Sequence, residues 1–287
     1  MKDETRRRFL KSAGALAVAS SFPSSSPARA ATTDAASPSK TERTHTPLDL
    51  GIASYTFRAF SLDQTIAMTK RIGLRKLTLK DVHLPLTSTD QEIQAALDKI
   101  NNAGLELDSC GVIYMKSEQE ITQAFAYAKK IGVKKIIGSP EPQVLAVVER
   151  FVKETGVAVA IHNHGPSDKN YPSPESVYHA VANMDKRMGL CIDVGHTQRL
   201  GLEPTAQFVR CFDRVLDIHL KDVSSARPDA DDTEIGRGVI DIPTFLKEAT
   251  QRRYSGTLHF EFEKDQSDPL PGLAESVGYV RGILTTI

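Results

Sequence analysis

From Leu48 onward the sequence alternates short apolar runs with amphipathic stretches, eight times over, and no other regularity limits its fold as strongly. The runs are 48–54, 75–80, 105–112, 134–138, 157–162, 189–194, 214–221 and 256–262, all rich in Val, Ile and Leu. Each precedes a segment with helical spacing. In the fourth unit Val144, Val147, Val148 and Phe151 share one stripe, and in the last Leu273, Val277, Val280 and Leu284 do the same. Glycines at 73, 104, 132 and 156 stand where a helix must stop before the next strand. Eight strand-helix units in about 240 residues are the arithmetic of a single α/β domain closed as a parallel (β/α)8 TIM barrel over residues 48–287. The rival is an open doubly wound sheet. It lacks its phosphate fingerprint here, because Gly51 stands alone after the first run.

A barrel makes alternate strand residues face the helices or the lumen. In the seventh run Leu216, Ile218 and Leu220 take one parity, and Asp217, His219 and Lys221 the other. The eighth sets Leu258, Phe260 and Phe262 against His259, Glu261 and Glu263. The fifth sets Val157, Val159 and Ile161 against Ala158, Ala160 and His162, with His164 following; the second places Thr78 and Lys80 opposite Leu77 and Leu79; the sixth puts Asp193 with Cys191. The ionisable residues therefore share the inward parity and crowd toward the carboxyl ends of the strands, where barrel enzymes keep their chemistry. Inward charge is costly unless it is paired or bound to a metal. A divalent cation held by His162, Asp193, His219 and Glu261 explains the set, and mixed nitrogen and oxygen ligation suits manganese first, with zinc, cobalt or iron after it, better than calcium. The alternative is four buried polar groups bonded to one another. Asp217 and His259 lie two residues deeper and are expected to pair with each other. A register one layer off would put Glu263 in the place of Glu261.

The formal net charge is zero, but residues 1–30 hold six Lys/Arg and two acids, which leaves 30 basic and 34 acidic residues in the body. A body of that sign lacks the basic surface that a polyphosphate backbone requires, so nucleic acid is not expected as a partner. Thr5-Arg6-Arg7-Arg8-Phe9-Leu10-Lys11, the short apolar stretch 13–19 and Ala28-Arg29-Ala30 resemble a twin-arginine export signal with its cleavage site. The reading is a signal over 1–30, a Thr/Ser/Ala/Pro linker over 31–47, and a periplasmic or otherwise extracytoplasmic mature protein. The apolar stretch is too short to anchor in a membrane. Cys110, Cys191 and Cys211 show no paired spacing and read as small apolar interior residues. A barrel of this size and charge gives no interface signal, so the oligomeric state stays open.

Ala160-Ile-His-Asn-His-Gly-Pro, Cys191-Ile-Asp-Val-Gly-His, Asp217-Ile-His-Leu-Lys-Asp and Leu258-His-Phe-Glu-Phe-Glu, in that order, resemble the metal-site strands of the xylose isomerase-like barrels known as sugar phosphate isomerases/epimerases. Ser54-Tyr-Thr-Phe-Arg, Leu79-Lys-Asp-Val-His-Leu-Pro and Gly236-Arg-Gly-Val-Ile-Asp-Ile-Pro extend the likeness over most of 48–287. In that family a Glu, an Asp, a His and a Glu on strands five to eight hold one divalent metal. The matching positions are His162, Asp193, His219 and Glu261, so strand five departs from the pattern. The family's two carboxylates remove and return a proton beside a carbonyl; here Glu261 alone keeps that role. The resemblance thus implies a metal-dependent isomerase or epimerase removing an α-proton, with a lyase acting by β-elimination on a 3-keto-glycoside, or a sugar-binding barrel without catalysis, as alternatives. Lys80, His164 and Lys221 are the candidates for a second acid or base, the lysines through a value lowered by desolvation beside a cation. His83, His196 and Glu263 are candidates for contact with the sugar. Export favours an unphosphorylated carbohydrate. Abasic-site endonucleases share the barrel but use three zinc ions and a basic groove.

Overall fold

The computed structural model describes residues 48–287. The segments read as signal (1–30) and linker (31–47) lie outside them. The eight runs become strands β1 (Asp49–Ala53), β2 (Lys76–Leu79), β3 (Glu106–Met115), β4 (Lys135–Pro140), β5 (Ala158–His162), β6 (Met188–Asp193), β7 (Val215–Leu220) and β8 (Thr257–Phe260). All neighbouring pairs are parallel, and β8 closes on β1 to complete the barrel. Helices α1 (Leu62–Arg71), α2 (Asp90–Asn102), α3 (Glu118–Lys130), α4 (Leu145–Thr155), α5 (Pro174–Val181), α6 (Val194–Arg199), α7 (Pro204–Cys211), α8 (Ile242–Gln251) and α9 (Leu270–Leu284) follow in chain order. Reciprocal caps set several starts: Ser61 with Gln64, Thr89 with Glu92 and Ser117 with Glu120 satisfy two exposed N–H groups at each helix head. No helix among the described residues is long and apolar enough to cross a membrane.

The main core fills the space between strands and helices, with Ile52, Leu77, Ile136, Val159, Ile192, Ile218 and Leu258 fully buried against α-helical side chains such as Phe125, Phe208 and Phe245. A second, small apolar group of Ile137, Ala160 and Cys191, joined by Val112 and Leu216, lies inside the barrel. Leu216 corrects the parity reading, which gave it to the helix-facing side. The ladder between β6 and β7 shifts between Leu190 and Cys191, so the alternation skips a residue and Leu216 turns inward. Gly51, unexplained by a phosphate loop, has a packing reason: a Cβ there would lie 2.5 Å from His259 Cδ2.

Candidate functional site

The lumen carries two polar groups at different depths. Strand register builds the upper one, because Asp193 of β6 pairs with His219 of β7, and His162 of β5 sits beside Cys191. Asp193 ends β6 and caps α6, its Oδ1 accepting from His196 N at 2.6 Å. That bond fixes the carboxylate and leaves Oδ2 turned toward the other side chains. Asn163 holds the same corner, its Oδ1 accepting from Asp193 N at 3.0 Å. Glu261 follows directly on β8, its N–H bonded to Leu220 O at 3.1 Å.

One donor atom each from His162, Asp193, His219 and Glu261 lies within 4.8 Å of every other, and all four residues are buried. His162 Nε2 is 3.0 Å from His219 Nδ1 and 3.4 Å from Asp193 Oδ2, and His219 Nδ1 is 3.1 Å from Glu261 Oε2. Donors around a zinc-class ion at about 2.1 Å stand about 3.4 Å apart, so these spacings fit one tetrahedral cation. Two imidazole nitrogens 3.0 Å apart are satisfied either by one shared proton or by an ion that both ligate. Asp193 Oδ2 is buried, facing Lys221 Nζ at 3.0 Å but without an aligned hydrogen bond. Burial pushes His162 down to about 4, which leaves it a neutral ligand at neutral pH. The residues present therefore fit a divalent metal of mixed nitrogen and oxygen preference.

Lys221 threads between these groups. Its Nζ is 3.0 Å from Asp193 Oδ2 and 2.9 Å from Glu261 Oε2, and it also pairs with Glu263. Burial works against its charge, yet Asp193, Glu261 and Glu263 outweigh that and hold the ammonium well above the ordinary lysine value. This is opposite to the lowered value that its position in sequence implied, and it makes Lys221 a fixed cation rather than a base. Glu263 belongs to Lys221 and not to the ligand group, so the register that places Glu261 inward holds.

The remaining sequence candidates divide. His164 stands at the cluster's rim, its ring centroid 4.3 Å from that of His162, with burial lowering it to about 4. Its Nδ1 is 3.2 Å from Asp168 Oδ2, and its Nε2 is 3.3 Å from the Tyr114 hydroxyl. His196 is 5.9 Å from the His162 ring, edge on, and burial lowers it as well. His83 is corrected: its Nδ1 lies 3.0 Å from Ser54 Oγ, and its Nε2 3.0 Å from Thr65 Oγ1 and 3.1 Å from Phe57 O, so both nitrogens tie the β1 and β2 loops together and neither is open to a sugar. Lys80 stands apart from the four ligand residues. Its Nζ donates to Val112 O at 2.7 Å and sits about 6 Å from the Tyr55 and Tyr114 rings, outside the ligand cluster.

The deeper group pairs Asp217 with His259, Nδ1 to Oδ1 2.9 Å, as expected. It also contains two residues that parity missed. Lys135 bonds Asp217 and lies 3.0 Å from Asp108 Oδ2, and His259 Nε2 is 3.6 Å from the same oxygen. Asp108 escaped because the ladder of β2 and β3 shifts at Leu77/Thr78, and this irregularity breaks the alternation. Lys135 shows a faint signal, since it shares the parity of Ile137 and Ser139 in β4. Tyr114 and Asp168 had no signal in the sequence, because their part depends on where His164 lies.

Residues 143–283 match the family described as Xylose isomerase-like TIM barrel. The rhizopine catabolism protein MocC of Rhizobium meliloti is 28% identical over 141 residues, which cover 44% of this chain and 43% of that protein, less than half its length. Among solved structures, a xylose isomerase domain protein from Planctomyces limnophilus superposes with a TM-score of 0.67 at 15% identity, covering 84% of this chain and 98% of the other. The 3-keto-D-glucoside 4-epimerase of E. coli gives 0.66 at 14% identity, covering 82% and 99%. At these identities the structural likeness shows the fold.

Proposed function

We propose, for a chain whose residues 143–283 match the xylose isomerase-like TIM-barrel family, that it is a metal-dependent enzyme of the sugar isomerase and epimerase kind. It removes the proton α to a carbonyl of an unphosphorylated keto-sugar or oxidised glycoside. The convergence of His162, Asp193, His219 and Glu261 on one point carries this reading. A similar barrel bears the name of a keto-glucoside epimerase, which supports it.

A divalent ion bound by those four residues, manganese first and zinc, cobalt or iron after it, would polarise the sugar carbonyl and acidify the adjacent C–H bond. Glu261 is a ligand more than a base, because burial's upward push on it is outweighed by His219 and Lys221, which hold it well below the usual carboxylate range. The proton falls instead to His164, neutral and standing at the rim of the ligand group with its Nδ1 3.2 Å from Asp168 Oδ2. Lys221 favours an anionic state of the bound sugar by placing a permanent charge beside it. With His162 where a second carboxylate would stand, the proton is handled from one side. Return of the proton gives an isomer, and loss of a β-substituent gives elimination, the runner-up reaction. The export reading of residues 1–30 accords with a substrate that carries no phosphate.

The test incubates metal-loaded protein with ketoses and 3-keto-glycosides in D2O. Deuterium entering one carbon position, abolished by a chelator and restored by manganese, is the expected result. Unchanged product mass apart from the label marks isomerisation, and a released fragment marks elimination. Exchange that persists after complete metal removal, or its absence from every sugar, sinks the proposal.

A further inference from the structure

We propose that a cavity next to the ligand cluster binds a second sugar ring, so that the substrate is a two-unit glycoside and not a free monosaccharide; this rests on the function proposed above. The cavity has a volume of about 400 Å³ and is walled by Tyr114, Lys116, Glu141, His164, Asp168 and Lys169 among others. That lies within the range of small-ligand sites, about 300–1,000 Å³.

Its floor is aromatic. Tyr114 is 56% exposed, an unusual state for a large ring, and it is nonetheless fixed. It stacks on His164 with centroids 5.8 Å apart and planes 25° from parallel. A rigid, amphipathic face of this kind accepts the C–H face of a pyranose at little cost in side-chain entropy. The walls are polar but carry no net charge, two ammonium groups (Lys116, Lys169) standing against two carboxylates (Glu141, Asp168). Such a lining offers donors and acceptors to hydroxyls and has no preference for a phosphate.

The cavity is also preformed. Asp168 Oδ1 accepts from Asn170 N at 2.7 Å and from Tyr171 N at 3.1 Å, and His164 N donates to Tyr171 O at 3.0 Å. Gly165, at φ +77°, supplies the left-handed residue that this turn requires. His164 is the shared wall: one neighbour is His162 of the ligand cluster, and the other is Tyr114 of the cavity. A glycoside spanning both chambers sets its linking oxygen beside that imidazole.

The sequence has no Trp, so Tyr114→Trp places a single emission reporter in the cavity. Manganese-loaded Tyr114→Trp protein is titrated with glucose, glucose 6-phosphate, cellobiose, maltose and trehalose. The best disaccharide should shift the emission at a concentration at least about tenfold below that for glucose, with no gain from the phosphate. In calorimetry the disaccharide advantage of the unmodified chain should fall below about threefold in Tyr114→Ala and in Lys169→Ala. Equal affinity for glucose and the disaccharides, preference for the phosphorylated sugar, or an advantage intact in both variants overturns the proposal. A disaccharide preference with no proton exchange on any sugar keeps this site and removes the proposed reaction. Chelator-sensitive exchange on free ketohexoses without any disaccharide preference does the reverse.

Discussion

The two polar groups inside the barrel look alike in composition and differ in balance. In the deeper one the carboxylates of Asp108 and Asp217 face Lys135, with Lys76 4.0 Å from Asp108 and His259 bonded to Asp217. Two ammonium groups there face two carboxylates, and Asp108, Asp217 and His259 also bring ligand-type atoms within 4.8 Å of one another. In the upper one Asp193, Glu261 and Glu263 face the ammonium of Lys221 and the imidazole of His219, which Cys191 and Glu261 hold well above its ordinary value against burial, beside His162 held neutral. Negative charge and lone pairs are in surplus there. A buried group that compensates itself contributes to the fold, and one left with surplus donors is prepared for an ion from outside.

The largest test of this contrast removes a ligand above. His219→Ala should lower bound metal in elemental analysis from one equivalent to near zero and slow deuterium exchange by about a thousandfold, with the far-UV spectrum unchanged. Metal retained at full stoichiometry would erase the distinction between the two groups. Below, Lys135→Met strands the buried Asp217 carboxylate and should destabilise by about 3–5 kcal/mol, a fall in Tm of about 10 °C for a domain of this size. Metal content should stay at one equivalent, and a melting point within 2 °C of the parent's would show that Lys135 is not the compensating charge.

Acid sharpens the contrast further. Burial tends to raise Asp217, but His259 and Lys135 hold it well below the usual carboxylate range. A folded value below the unfolded one, about 3.9, means that its stabilisation is complete above that pH and is lost as pH falls toward the folded value. Urea unfolding at pH 5, 4 and 3 should show that loss, and Asp217→Asn should flatten the slope; an equal slope in both proteins would place the acid sensitivity elsewhere. The smallest effect concerns Cys191, buried against Ile137 and Ala160 and pushed up to about 12 by burial. A thiol-reactive disulfide at pH 8 should label it only after unfolding, and chelation alone should leave it unlabelled, because apolar packing and not the ion covers it. Labelling of chelated, folded protein would mean that the ion is what closes the lumen there.

Much of this was legible in the sequence. The eight strands fall where the apolar runs are, with ends moved by at most two residues, apart from β3, which continues three further to Met115. The four converging side chains were found by parity, since an even period survives folding wherever the ladder is regular. It failed at Leu216, beside the ladder shift at Leu190/Cys191, and it named nothing in the third run, where Asp108 lies beside the shift at Leu77/Thr78. The surroundings of His83 and Lys80 were hidden for another reason. Both follow β2 near the right end of the barrel, but their partners come from other elements, Ser54 just after β1 and Thr65 in α1 for one and Val112 in β3 for the other.

What the sequence alone determined is periodic and local: the alternation that closes a barrel, the parity that turns charge inward, and the caps that start the helices. What only the tertiary structure decided is which inward charges meet. Balance between a lysine and its carboxylates depends on distances across strands that lie tens of residues apart, and on burial that can push a titration either way. Lys221 and Lys135 are equally plain in the sequence; three acids stand around one and two around the other, and only the folded distances give the two chambers their different charge balance.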